Sequence, residues 1–249
     1  MSRLHPQRRR ARGGDRALQT AGIGAALLAR AALSLAPSAG AQEVPLATPV
    51  VHEQYEWSNI WWDCANDPAL PRVLLIGDSI SCGYSPVVTT LLQGKVHVDR
   101  LGTSRSINDP VLLKETTMML AEYPYAAIHF NNGLHGFHLD GPAYAAGLRA
   151  YVELLERLRG NAQLIWASST PITQPDDVNT LAGDNEKVLA RNALAAPLMQ
   201  ERGIPMNGLY QCVVGKPDLR SGDGYHYNGA GYDALGQAVA EALRRVLGA

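Results

Sequence analysis

Arg72-Val73-Leu74-Leu75-Ile76-Gly77-Asp78-Ser79-Ile80 is the stretch on which the fold turns. A short apolar run closed by glycine suits a strand buried on both faces, because such strands read as continuous hydrophobic segments rather than alternating ones. Polar residues that can cap a helix follow at once, so the chain is expected to pass from strand to turn to helix here. Outward from it the same alternation recurs. Residues 86–93 read as a helix, 95–101 as a strand, 110–121 as a helix and 125–130 as a strand. A helix over 142–159 shows one apolar face through Tyr144, Leu148, Tyr151, Val152, Leu155 and Leu158. Then come a strand at 163–167, a Pro- and Asp-rich loop at 169–183, a helix at 184–202, a short strand near 204–206 and a last helix over 229–247. Five strands alternating with helices predict an α/β fold, a parallel sheet covered on both faces. In such sheets functional residues gather beyond the carboxyl ends of the strands.

Ahead of this domain (71–249) lie two other segments. Residues 42–70 read as irregular and aromatic-rich, with Tyr55, Trp57, Trp61 and Trp62 expected to pack outside the sheet. Residues 1–41 hold seven arginines against the single acid Asp15, an apolar run, and then Ala39-Gly40-Ala41. Positive, apolar, small-x-small is the order of a secretory signal peptide, predicting export to the periplasm or outside with cleavage near Ala41. The apolar run is too short for a stable membrane span. The whole chain of 249 residues carries a formal charge of −1, from 22 basic and 23 acidic residues. Removing residues 1–41 leaves 15 basic against 22 acidic, so the body carries about −7. That balance argues against a nucleic-acid partner, which needs clustered cations. Three cysteines make no complete disulfide framework, although an oxidising compartment would allow a Cys64–Cys212 bridge. Cys82 reads as a small buried hydrophobe.

Four segments at strand ends or before the last helix carry the chemistry. Ser79 follows the first strand, where a hydroxyl stands beside helix N-terminal amides that suit an oxyanion. Asp223-Gly224-Tyr225-His226 supplies what a nucleophilic serine needs: a histidine to take its proton, and a carboxylate to fix that histidine's tautomer. Between them lie Gly102 after the second strand and Asn131-Asn132-Gly133-Leu134-His135-Gly136 after the third, a source of hydrogen-bond donors. Asp78 adjoins Ser79 but reads as structural. His129, His135, His138 and Asp140 invite a metal reading, yet no third ligand is placed with confidence, and neither metal nor cofactor is expected.

Taken in order, Gly77-Asp78-Ser79-Ile80, Gly102, the 131–136 block and Asp223-x-x-His226 resemble the four blocks of the SGNH, or GDSL-type, hydrolases. The likeness spans about residues 70–247. It implies a flavodoxin-like three-layer α/β/α sandwich and serine-dependent hydrolysis of carboxylic esters, with small acyl groups such as O-acetyl on carbohydrate favoured. It implies Ser79 as nucleophile, His226 as general base and Asp223 as its orienting partner. The Ser79 and Gly102 amides would be oxyanion donors. The third block departs from the family's Gly-x-Asn-Asp, so either Asn132 or His135 takes the third donor's place, with Asn132 favoured because an amide donates at any pH. The substrate would be a small-molecule or glycan ester. Transfer of the acyl group to a sugar hydroxyl, lipase or thioesterase activity, and a non-catalytic glycan-binding module are the competing readings.

Overall fold

The structure is a computed structural model, and it describes residues 48–248. The signal-peptide reading of residues 1–41 lies outside them. The strands are β1 (Ser58–Trp61), β2 (Arg72–Gly77), β3 (His97–Thr103), β4 (Tyr125–Phe130), β5 (Gln163–Ala167), β6 (Thr173–Gln174), β7 (Asp177–Leu181) and β8 (Met206–Asn207). The α-helices are α1 (Ser79–Leu91), α2 (Pro110–Glu122), α3 (Gly141–Leu158), α4 (Asn185–Glu201), α5 (Leu209–Val213) and α6 (Gly229–Leu247). The main sheet runs β1-β3-β2-β4-β5-β8. Its five strands from β3 to β8 are parallel. In chain order they stand 2-1-3-4-5, the doubly wound flavodoxin-like arrangement.

The alternation of β2 shows how both faces are covered. Leu74 and Ile76 join Leu112, Met119, Leu148, Leu155 and Met199 in a core beneath α2, α3 and α4. Val73 and Leu75 point the other way, into a core with Ile80, Tyr84, Val88, Leu235, Val239 and Leu243 of α1 and α6. Successive strand side chains face opposite sides, so a strand that must fill two cores is apolar throughout. Helix starts follow from side-chain caps: Asp78, Asp109, Asp140 and Asn228 each accept a hydrogen bond from a first-turn N–H of α1, α2, α3 and α6. α1 therefore begins seven residues before the sequence expectation, at Ser79.

Three features differ from the sequence reading. The 42–70 segment is not irregular throughout: residues 58–61 form β1, which pairs antiparallel with β3 and extends the sheet instead of packing outside it. Its exposed side chains give it no hydrophobic pattern. It is pinned by Asp99, whose carboxylate takes two bonds from Arg72 at 2.8 and 2.7 Å and one from the Asp63 N–H at 2.9 Å. The 169–183 loop contains the β6–β7 hairpin, and α5 follows β8. All three cysteines are free thiols: Cys64 is exposed, while Cys212 is half-buried with its Sγ against the Ala234 carbonyl. No helix among the described residues is long and apolar enough to cross a membrane.

Candidate active site

Ser79 is the first residue of α1, immediately after the carboxyl end of β2. Asp78 before it is buried, and its Oδ1 accepts the Ile80 N–H at 2.9 Å. It caps the helix, as a structural role requires, and its carboxylate is spent there. The Ser79 hydroxyl donates to His226 Nε2 across 2.8 Å, and His226 Nδ1 donates to Asp223 Oδ2 across 2.6 Å. Residues 147 positions apart thus meet at the edge of the sheet. The carboxylate fixes the proton on Nδ1, so the Nε2 lone pair faces the hydroxyl, the arrangement in which a serine can be deprotonated as it attacks.

Asp223 is about half exposed, so burial does not hold it. Its Oδ1 instead accepts the N–H groups of Tyr225 and His226 at 2.9 and 2.7 Å and the Ser221 hydroxyl at 3.1 Å. Partial burial pushes its carboxyl up, but the His226 main chain, the His226 ring and the Tyr225 N–H outweigh that and hold it well below the usual carboxylate range. The loop is fixed from outside by residues 171–176. The Thr173 N–H donates to the Gly224 carbonyl at 2.8 Å, the Asp176 N–H to the Gly222 carbonyl at 3.0 Å, and Arg220 to the Pro171 carbonyl at 2.7 Å. Gly224 has φ +88°, and a Cβ there would stand 2.7 Å from the Thr173 carbonyl oxygen, so only glycine fits both the turn and the strap.

Gly102 departs from its expected role. It lies inside β3, opposite Gly77 on one side and Asn59 on the other. The His97 N–H donates toward β2, to the Pro71 carbonyl, and the Ser104 N–H donates toward β1, to the Trp57 carbonyl. Alternation along the strand therefore turns the Gly102 N–H toward β1, away from Ser79. Glycine is needed there for another reason: a Cβ would come within 2.3 Å of Cys82 Sγ. Cys82 itself is half-buried, and burial pushes its thiol up, as for an inert packing residue. Beyond the strand, the Arg105 N–H donates to Thr103 Oγ1 at 3.3 Å.

In the third block, Asn131 ties strand ends together, its Nδ2 donating to the Ala167 carbonyl at 2.6 Å and to Ser169 Oγ at 3.1 Å. Asn132 is buried. Its Nδ2 donates to the Arg105 carbonyl at 2.8 Å, which fixes the orientation of the amide, and its main-chain carbonyl accepts the Tyr144 hydroxyl at 2.8 Å. One Nδ2 hydrogen remains uncommitted. His135 is engaged differently: its Nδ1 lies 2.7 Å from Glu53 Oε1, and its ring meets Trp57 edge-on at 6.3 Å. With Nδ1–H given to Glu53, the neutral ring offers a lone pair at Nε2, not a donor. The candidate metal residues do not converge: His129 is buried in the core beside Asn207, Asp140 caps α3, and His138 is exposed.

Sequence reasoning missed the segment before β1. The Trp57 N–H donates to Ser104 Oγ at 2.9 Å, and Ser104 Oγ donates to Glu56 Oε2 at 2.6 Å. Trp57 Cζ3 and the Asp78 carbonyl both lie within 4 Å of the Cβ position at Gly102, which brings that indole close to the start of α1. The aromatic cluster was its only signal.

No known family model matches the sequence, and neither does any curated protein. Solved structures do match. A carbohydrate acetylesterase from Sinorhizobium meliloti is 18% identical, with TM-score 0.60, over 71% of this chain and 99% of its own. A GDSL-like lipase from Bacteroides thetaiotaomicron VPI-5482 is 17% identical, with TM-score 0.56, over 70% of this chain and 88% of its own. A candidate SGNH hydrolase from Slackia heliotrinireducens is 18% identical, with TM-score 0.55, over 70% of this chain and 99% of its own. The shared fold is the three-layer α/β/α sandwich of the SGNH/GDSL-type hydrolases.

Proposed function

We propose that this protein is a serine esterase that removes small acyl groups, O-acetyl on carbohydrate foremost, through an acyl-enzyme. The observation that carries the reading is the unbroken series Asp223–His226–Ser79, with contacts of 2.6 and 2.8 Å. Ser79 Oγ attacks the ester carbonyl while His226 Nε2 takes its proton. Negative charge collects on the former carbonyl oxygen, where the Ser79 N–H at the start of α1 has no intrahelical acceptor to compete for it. Asn132 Nδ2 is the side-chain donor of this reading, and Gly102, whose N–H faces β1, is not part of it. The intermediate collapses as His226 returns the proton to the leaving alkoxide. Water then attacks the acyl-serine with His226 again as base, releasing the acid and restoring the serine hydroxyl.

The acetylesterase neighbour and the open sheet-edge position favour a small acyl group on an extended substrate. Export follows as part of the same proposal: N-terminal sequencing of protein recovered outside the cytoplasm is expected to begin near Gln42, and a start before residue 30 would refute it. The activity test compares hydrolysis of 4-nitrophenyl acetate by the protein and its Ser79→Ala variant, followed by a screen of acetylated glycans. Loss of about three orders of magnitude or more is expected in the variant. Equal rates would mean that Ser79 is not the nucleophile.

A further inference from the structure

Arg191, in the middle of α4, is only 3% exposed, yet none of its hydrogen bonds goes to a carboxylate among the described residues. Its Nη1 donates to the carbonyls of Gly133 and His135 at 3.0 and 2.8 Å, and its Nη2 to that of Gly136 at 2.6 Å. The guanidinium carbon lies over two rings, 4.6 Å from the centroid of Tyr144 and 4.8 Å from that of Phe137. Burying a cation without a counter-ion is costly, and burial does push this guanidinium down from its ordinary proton affinity. A fork that gathers three carbonyls and two aromatic faces is what arginine provides and lysine does not. Such a cost would be out of proportion for an ordinary surface loop. The loop it gathers is the one that follows Asn132. Tyr144, under the guanidinium, in turn donates its hydroxyl to the Asn132 carbonyl at 2.8 Å.

Resting on the esterase reading above, we propose that Arg191 is a positioning residue for Asn132. It clamps the 133–136 main chain and the Tyr144 ring so that the Asn132 carboxamide stays turned to the oxyanion, and it acts on acyl transfer only through that side chain. Phe137 and the three carbonyls then serve as the seat of the clamp.

The test is a double-mutant cycle on 4-nitrophenyl acetate turnover with Arg191→Lys and Asn132→Ala. Arg191→Lys alone is expected to lower kcat about 10- to 100-fold while KM changes less than about threefold, the pattern of an interaction made only in the transition state. In the Asn132→Ala background the same change is expected to cost less than about twofold, since the group it positions is gone. An equal factor in both backgrounds, or a changed KM with unchanged kcat, would overturn the proposal. If Arg191→Lys does not fold, Tyr144→Phe, which deletes one hydroxyl, carries the same cycle with an expected loss of about 3- to 10-fold. One readout does not depend on activity. The Asn132 side-chain amide resonances, identified by their absence in Asn132→Ala, should shift in Arg191→Lys, and unmoved resonances would refute the clamp. Failure of the esterase reading is seen separately, as equal rates for the protein and Ser79→Ala.

Discussion

Asp223→Asn isolates the electrostatic part of the site from its geometry. An asparagine oxygen can keep the Tyr225 and His226 N–H bonds that Oδ1 now accepts at 2.9 and 2.7 Å, so the loop has no reason to move. The other arm changes sign. Where Oδ2 accepts from Nδ1 at 2.6 Å, an NH2 group would donate, and Nδ1 must then offer its lone pair. The ring proton shifts to Nε2, which faces Ser79 at 2.8 Å, and the base becomes a donor. Catalysis that depends on this tautomer should fall by about 10³–10⁴ in kcat, or about 4–5.5 kcal/mol of transition-state stabilisation. Stability should change little, because the side chain is half exposed and its main-chain bonds survive. The assay is 4-nitrophenyl acetate turnover beside thermal unfolding. A control separates the two neighbouring acids: Asp78→Asn keeps a good cap on α1 and should cost less than about tenfold. A folded Asp223→Asn variant that loses less than tenfold, or less than Asp78→Asn does, would refute the assignment of Asp223.

Three further outcomes follow from the same geometry. Asn132→Ala should lower kcat by about 10²–10³, whereas His135→Ala, whose ring is paired with Glu53, should cost less than about tenfold; steady-state kinetics that reverse the order would move the donor to His135. Gly102→Ala would drive a Cβ to 2.3 Å from Cys82 Sγ and should destabilise by about 1–3 kcal/mol, partly recovered in a Cys82→Ala background, and an unchanged denaturant midpoint would refute the packing argument. His129 is fully buried, its Nε2 accepts from Asn207 Nδ2, and its Nδ1 has no partner among the described residues. Burial pushes it down from 6.5 to about 3, so between those values the unfolded chain binds a proton that the folded one refuses. Stability is therefore full above about pH 6.5 and falls as pH drops toward 3, by up to about 5 kcal/mol from this group. Chemical unfolding at pH 7 and pH 4 should show a smaller difference for His129→Gln, and an unchanged difference would exclude His129 as a source of acid lability.

What was legible in the sequence was whatever the local chain dictates. β4 and β5 occupy the expected residues because two-sided burial makes their composition mostly apolar, and α6 starts where Asn228 can cap it. Ser79 and His226 were readable because each lies in a short turn whose residue types have few other uses. β1 was not, since its side chains are mostly exposed and its strand conformation comes from pairing with β3 some 40 residues later. That omission carried through to Gly102. Which way a strand amide faces depends on which neighbours it has, so without β1 the Gly102 N–H seems free for an oxyanion when it faces the edge strand. His135 was ambiguous for a similar reason, its partner Glu53 lying 82 residues away. Arg191 could not be singled out, because nothing local marks a cation whose acceptors are main-chain carbonyls.

The site also shows where rigidity was placed. His226 belongs to an irregular loop, and its carboxylate partner is half exposed, so neither burial nor regular structure holds the pair. Three donors from residues 221–226 fix Asp223 locally, and the 171–176 strap fixes the loop as a whole through main-chain bonds to Gly222 and Gly224. The hairpin within the Pro- and Asp-rich 169–183 segment therefore has a definite job: it stands where a strand partner would and bonds main-chain groups of a loop outside any sheet. On the opposite side, the segment before β1 does the same for the β3 loop through Trp57 and Glu56. The sheet supplies Ser79 in a fixed place, and the remaining members of the site are brought to it by peripheral segments that are short, polar and invisible to periodicity. Periodicity leads to the end of β2, where Ser79 stands, and has no hold on the segments that surround it.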